Sequence, residues 1–154
     1  MARIALIKLF SGLNMGVAQL TAELLRAGHA AHIYHFKKMY MKPKGETEGM
    51  LGGEDIVTTN GKEMVWLLYY PFTDEEYETL REELRRFNPD AIGLTVVGNE
   101  AERCAELSRE LRKGLSCPII WGGLGPTLEP EKCIPHADLI VINEGEETIV
   151  EIAN

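Results

Sequence analysis

The feature that most restricts this chain is an alternation. Short aliphatic runs at residues 3–9, 30–36, 90–97, 117–121 and 138–142 are separated by stretches of helical periodicity. A strand, a helix and a further strand in that order make a βαβ unit, because parallel strands need a crossover to join them. Repeated units imply a parallel sheet with helices on both faces. Five core strands predict an α/β fold: a doubly wound, flavodoxin-like (Rossmann-like) parallel sheet in the order 2-1-3-4-5 with an inserted β-hairpin.

Local signals support the alternation. Val17, Leu20, Leu24 and Leu25 recur at three to four residues, and Gly28 stops that helix. Thr73 with Glu76 three residues on is a capping box, and the helix it starts carries Tyr77, Leu80, Leu84 and Phe87 before Pro89 ends it. A third helix spans 100–113 and stops at Gly114. One helical turn is expected at 129–133, and a last helix opens within 143–148. Residues 37–61 have little periodicity and read as a long excursion. Near its end, Asn60-Gly61 suits a primed turn between two β-prone runs over 55–67. Lys37, Lys38, Lys42 and Lys44 form the basic cluster of this excursion and are expected to be solvated.

Composition narrows the class. A chain of 154 residues with 45% apolar and 26% charged residues can bury one ordinary core, so residues 1–154 are expected to form one domain. The net charge of −8, without like-charged blocks, argues against nucleic acid as a partner. No apolar run approaches the roughly 18 residues of a membrane span. Lys8 cuts the first run short, so it reads as a strand rather than a signal peptide, and a cytoplasmic location is expected. Cys104, Cys117 and Cys133 are widely spaced with no Cys-x-x-Cys, and structural roles are expected for them. His29, His32, His35 and His136 share no metal-binding spacing and are expected to be structural or exposed. Trp121 is expected in the core or a loop wall.

The candidate site follows from the sheet. The run Ile119-Ile120-Trp121 ends in Gly122-Gly123-Leu124-Gly125-Pro126-Thr127, as a buried strand does when its loop must approach something closely. In open α/β sheets, ligands sit beyond the carboxyl ends of the strands. Four loops should gather there, at 10–14, 95–99, 122–127 and 143–148. They contribute Gly12, Gly98, Gly122, Gly123, Gly125 and Gly145, with Ser11, Asn14, Thr95, Asn99 and Thr127 as small polar groups. They carry no cysteine, histidine or Ser-His pairing, so the edge is expected to hold a ligand rather than break bonds. A phosphoacceptor receiver is excluded, since the first strand ends Ile7-Lys8-Leu9 and the third ends Thr95-Val96-Val97, without the required acids. Ser11-Gly12-Leu13-Asn14 is too poor in hydroxyls for a flavin phosphate loop, and no G-x-G-x-x-G follows the first strand.

Several segments carry a resemblance. Trp121 to Thr127, Pro130-Glu131, His136-Ala137-Asp138 and Glu144-Gly145-Glu146-Glu147-Thr148 together resemble the N-terminal cobalamin-binding domain of radical S-adenosylmethionine enzymes, with its Gly-Gly-x-x-Pro-Thr loop and acidic segment. Asn143 stands where that segment often begins with glycine. Asn14 to Leu20, Leu25 to His29 and Asn88 to Thr95 are similar as well.

The resemblance implies cobalamin as cofactor and partner, held by Ser11, Asn14, Thr95, Val96, Gly98, Gly122, Gly123, Gly125, Thr127, Glu144, Gly145 and Glu146. It implies a slot for the nucleotide tail beside Gly122 and Gly123, with Glu144 to Glu147 bordering it. Related domains with Asp-x-His-x-x-Gly after the first strand ligate cobalt through that histidine. Here Ser11-Gly12-Leu13-Asn14-Met15-Gly16 takes its place, so the cobalt would receive no histidine from this loop. The family's Cys-x-x-x-Cys-x-x-Cys motif is absent from the chain. S-adenosylmethionine and an iron–sulfur cluster would then belong to a C-terminal catalytic domain of a parent enzyme, a methyltransferase for example, and this domain would have no catalytic residue of its own. The alternative expectation is a cofactor-free domain of the same fold. It would use the 37–61 excursion and the hairpin to bind a protein or a neighbouring domain.

Overall fold

The computed structural model describes residues 1–9, 15–37, 40–43, 56–67, 72–97 and 100–154. Its main sheet is built from β1 (Arg3–Leu9), β2 (Ala30–Phe36), β6 (Ala91–Thr95), β7 (Ile119–Gly122) and β8 (Leu139–Ile140). The order is β2-β1-β6-β7-β8 and every pairing is parallel. Numbered as core strands, this is the expected 2-1-3-4-5. The chain runs from β1 to β2 in one direction and from β6 to β8 in the other, so the switch point lies between β1 and β6.

Strand periodicity sends alternate residues to opposite faces. On one face, Ile4, Leu6, Ala91 and Ile120 meet Val17 and Leu24 of α1 (Met15–Arg26) and Ile149 of α6 (Glu146–Ala153). On the other, Ala5, Ile7, Ile92, Leu94, Ile119 and Trp121 meet α2 (Asp74–Phe87) and α3 (Ala101–Leu111). Trp121 is fully buried, and its indole N–H donates to the Ser108 hydroxyl at 3.0 Å. Cys104 and Cys133, the latter closing the expected helical turn as α5 (Pro130–Cys133), are buried in the same layer, and burial pushes both thiols up, as suits inert structural residues.

The helix boundaries have identifiable causes. Gly28, at φ +85°, ends α1, with its N–H on the Leu25 carbonyl and the His29 N–H on the Leu24 carbonyl. The Thr73–Glu76 capping box starts α2 in both directions. Asn88, left-handed at φ +52°, ends it before Pro89.

The hairpin turn is as expected: Asn60 and Gly61 are both left-handed between β4 (Ile56–Thr59) and β5 (Lys62–Leu67). The insert is larger than a hairpin, however. Tyr40–Pro43 forms β3, antiparallel to β5, giving a three-stranded sheet in the order β3-β5-β4. Lys37 also departs from expectation. Its ammonium pairs with Glu76 at 2.5 Å and lies 5.6 Å from the Phe72 ring centroid, so it is not a solvated loop cation. Phe36 and Phe72, at either end of the insert, have ring centroids 5.1 Å apart. The basic residues Lys38 and Lys44 fall outside the described residues.

The far edge is shorter than expected, since β8 has two residues rather than five. Asp138 compensates by bonding across it. Its carboxylate accepts from the Ile119 N–H at 2.7 Å and from the Arg112 guanidinium at 2.9 Å. The backbone bond to Ile119 is the main cause that holds this carboxyl below its ordinary range, with Arg112 adding to it against a smaller effect of burial. A depressed folded pKa stabilises the fold above the unfolded value and ceases to do so as pH falls through the folded one. Asp138→Ala should therefore cost about 1 kcal/mol near neutral pH, a value kept small by solvent screening of this half-exposed group. Urea denaturation at a series of pH values should show that cost shrinking once pH drops below about 4, the unfolded aspartate range.

Candidate functional site

A cleft of about 210 Å³ opens at the carboxyl edge, on the face covered by α1 and α6. Strand register explains its floor. Leu6, Gly93 and Ile120 lie side by side on β1, β6 and β7, and Lys8, Thr95 and Gly122 form the next row toward the edge. The two glycines remove side chains from the middle of one row and the end of the other. A Cβ at Gly93 would stand 2.7 Å from the Leu6 side chain. A Cβ at Gly122 would meet only Val141, at 3.8 Å. One wall is the start of α1, with Gly16, Val17 and Leu20. The other is Val141, Asn143, Glu144, Gly145, Glu146 and Ile149.

The turn after β7 is set by backbone geometry. Gly123 has φ +100°, and a Cβ there would lie 2.9 Å from the Val96 carbonyl oxygen. The Gly125 N–H donates to that same oxygen at 2.9 Å. A Cβ on Gly125 would meet the Val96 side chain at 2.7 Å. The segment expected to be an open loop is instead a short helix, α4 (Leu124–Leu128), begun directly at Gly123. Thr127 then ties the two sides of the edge together. Its hydroxyl donates to the Gly123 carbonyl at 2.8 Å and accepts from the Asn143 N–H at 3.0 Å.

Six of the residues singled out from sequence line the cleft: Thr95, Gly122, Gly123, Glu144, Gly145 and Glu146. Val96 is fully buried on the opposite face, and Gly125 packs against it. Thr127 acts on the cleft through Gly123 and Asn143 rather than by lining it. Ser11, Asn14 and Gly98 lie outside the described residues. Sequence reading missed Gly93, whose signal was an isolated glycine inside a strand. It also missed Gly16, Leu6, Ile120 and Ile149 as lining residues.

The chemistry of the edge is sparse. Glu100, at the start of α3, has its carboxyl pushed up by burial; a backbone hydrogen bond at Val97 and the nearby Lys8 charge pull partly against that. No group of three or more His, Cys, Asp or Glu among the described residues is placed to hold a metal ion. None of the four histidines lines the cleft: His29 Nδ1 accepts from the Ala2 N–H, His32 and His35 are exposed on β2, and the His136 ring stacks on Trp121 with centroids 5.7 Å apart. No helix among the described residues is long and apolar enough to cross a membrane.

Comparison with known families matches residues 60–153 to the B12 binding domain. That is more than half of the chain, which therefore belongs to the B12-binding domain family. No curated protein matches it.

The turn at Gly123 makes the sharpest demand on sequence at this site. Gly123→Ala combines left-handed strain with a clash against backbone, and should destabilise the fold by about 1–3 kcal/mol in chemical denaturation.

Proposed function

Membership in the B12-binding domain family is the premise from which we propose that residues 1–154 form one cobalamin-carrying domain of a radical S-adenosylmethionine enzyme, with a methyltransferase as the leading class. The cleft at the switch point is the observation that carries the cobalamin part. Its volume of about 210 Å³ falls below the roughly 300–1,000 Å³ of sites that enclose drug-sized ligands. It suits one flat ring system, such as the base of the nucleotide tail, and not a whole corrin. Gly122 leaves space where a side chain would occupy the floor, and Gly93 lets the Leu6 side chain lie across the strand beside it.

In this reading Gly93, Gly122 and Ile120 form the surface under the tail, and Val17, Leu20 and Ile149 enclose it from the helix side. Thr95, Asn143, Glu144 and Glu146 stand at the mouth, where hydroxyl, amide and carboxylate oxygens can accept hydrogen bonds from the ligand. Bound there, cobalamin supplies group-transfer chemistry at its cobalt. The chain's own residues bind, orient and exclude water, and histidine contributes no ligand from this cleft. The radical S-adenosylmethionine context is supported by the resemblance of Trp121 to Thr127 together with Glu144 to Thr148.

Gel filtration after mixing with hydroxocobalamin should give a protein peak with the cofactor's visible spectrum. A colourless peak from folded protein would refute cobalamin binding and favour the cofactor-free interaction module. Gly122→Val places a side chain in the cleft at a position where a Cβ meets only ordinary contact. It should retain the wild-type circular dichroism while weakening hydroxocobalamin binding by about tenfold or more. The parent context has its own test: the reading frame downstream of Asn154 should encode a Cys-x-x-x-Cys-x-x-Cys motif. A continued frame without that motif, or a stop codon there, removes the radical S-adenosylmethionine assignment and leaves cobalamin binding untouched.

A further inference from the structure

The depth of the cleft and its mouth differ in kind. The deep lining is Leu6, Val17, Ile120, Val141 and Ile149, each no more than 7% exposed. Between them lie glycines whose strand backbone is engaged in the parallel ladder. The Gly122 carbonyl accepts from the Val96 N–H at 2.8 Å, and the Gly145 carbonyl accepts from the Ile149 N–H at 2.8 Å. Polar side chains of the described lining belong to Thr95, Asn143, Glu144 and Glu146, and none of these four is buried. Among the described residues, the interior therefore offers surface contact and very little hydrogen bonding.

We infer that this cleft selects corrinoids by their lower base, accepting an apolar base such as dimethylbenzimidazole and discriminating against a purine. The inference rests on the cobalamin reading above and names the ligand class within it. Adenine carries an exocyclic amine and several ring nitrogens that are hydrogen-bonded in water. Moved among aliphatic side chains, they lose those bonds without replacement. Dimethylbenzimidazole exposes carbon along most of its edge, and its two methyl groups gain from burial. An apolar pocket rejects a polar near-isostere only moderately, by a factor on the order of a hundred or less.

The test is a set of binding titrations on the 154-residue chain, followed by calorimetry or visible spectra. The probes are cobalamin, an adenine-based cobamide, a cresol-based cobamide and cobinamide, which has no base. Cobalamin and the cresol form should bind with similar affinity, because both bases are largely apolar. The adenine form should bind about ten- to a hundredfold more weakly, and cobinamide should also bind more weakly than cobalamin. Equal affinity for the adenine form and cobalamin overturns the selectivity while leaving cobalamin binding intact. Equal affinity for cobinamide and cobalamin does the same, since the cleft then holds no base. Failure of all four to bind removes the cobalamin reading itself, and the selectivity with it.

Discussion

Two missing side chains on one face of a sheet organise this domain. Gly93 is the middle of the row Leu6–Gly93–Ile120, and Gly122 ends the row Lys8–Thr95–Gly122. Protein interiors are normally filled to crystal-like density, and Leu6 does fill the position over Gly93, but the position over Gly122 stays open. Here Leu24 of α1 packs with Ile4 and Ala91 on the amino-terminal half of that face, and the cleft opens toward the carboxyl edge. The fold tolerates this because the opposite face is filled. Trp121 and Ile92, on the same two strands, lie beneath α3 with no measurable exposure, and the Trp121 indole is satisfied by Ser108. The strands thus carry a solid core on one side and a slot on the other.

The open side needs walls that do not collapse into it. That stiffness comes from backbone rather than from bulk. Val96 supplies one carbonyl that blocks any Cβ at Gly123 and accepts the Gly125 N–H, fixing where α4 begins. From α4, the Thr127 hydroxyl reaches across to the Asn143 N–H, and Asn143 itself is held left-handed at φ +67°. Glu144 to Glu146 follow immediately. The glycine turn and the acidic segment, distant in sequence, are therefore tied together by the Thr127 hydroxyl, beside the pairing of β7 with β8.

Much of this was legible in the chain. The strand order followed from alternation alone, because a parallel sheet leaves few ways to connect five buried runs. The capping box at Thr73 and the Asn60-Gly61 turn were legible because each depends on residues within a few positions. What escaped depends on distant partners. β3 is four residues, Tyr40–Pro43, and exists through its pairing with β5 some twenty residues later. α4 hides behind glycine and proline that read as loop. Val96 was grouped with Thr95, yet period-two alternation sends the two to opposite faces, one into the core and one to the cleft mouth. Lys37 read as solvated because Phe72 and Glu76, its partners, lie beyond the insert.

The positions of the histidines bear on how a cofactor could be held. All four are accounted for in other parts of the fold: at the amino edge, on the outer strand β2, and against Trp121 on the far face. A bond from a protein imidazole to cobalt is a strong and directional anchor, and in the proposed reading this chain supplies none. Retention must then come from surface burial in the cleft and from hydrogen bonds at its mouth. Burial is non-directional and scales with area. It rewards a base that fills the space over Gly122 and rests against Leu6, and is indifferent to the state of the metal. A domain built this way would hold its cofactor by the tail and offer the cobalt no imidazole. The chain's own part would then be to bind and orient that tail, through the apolar floor of the cleft and the oxygens at its mouth.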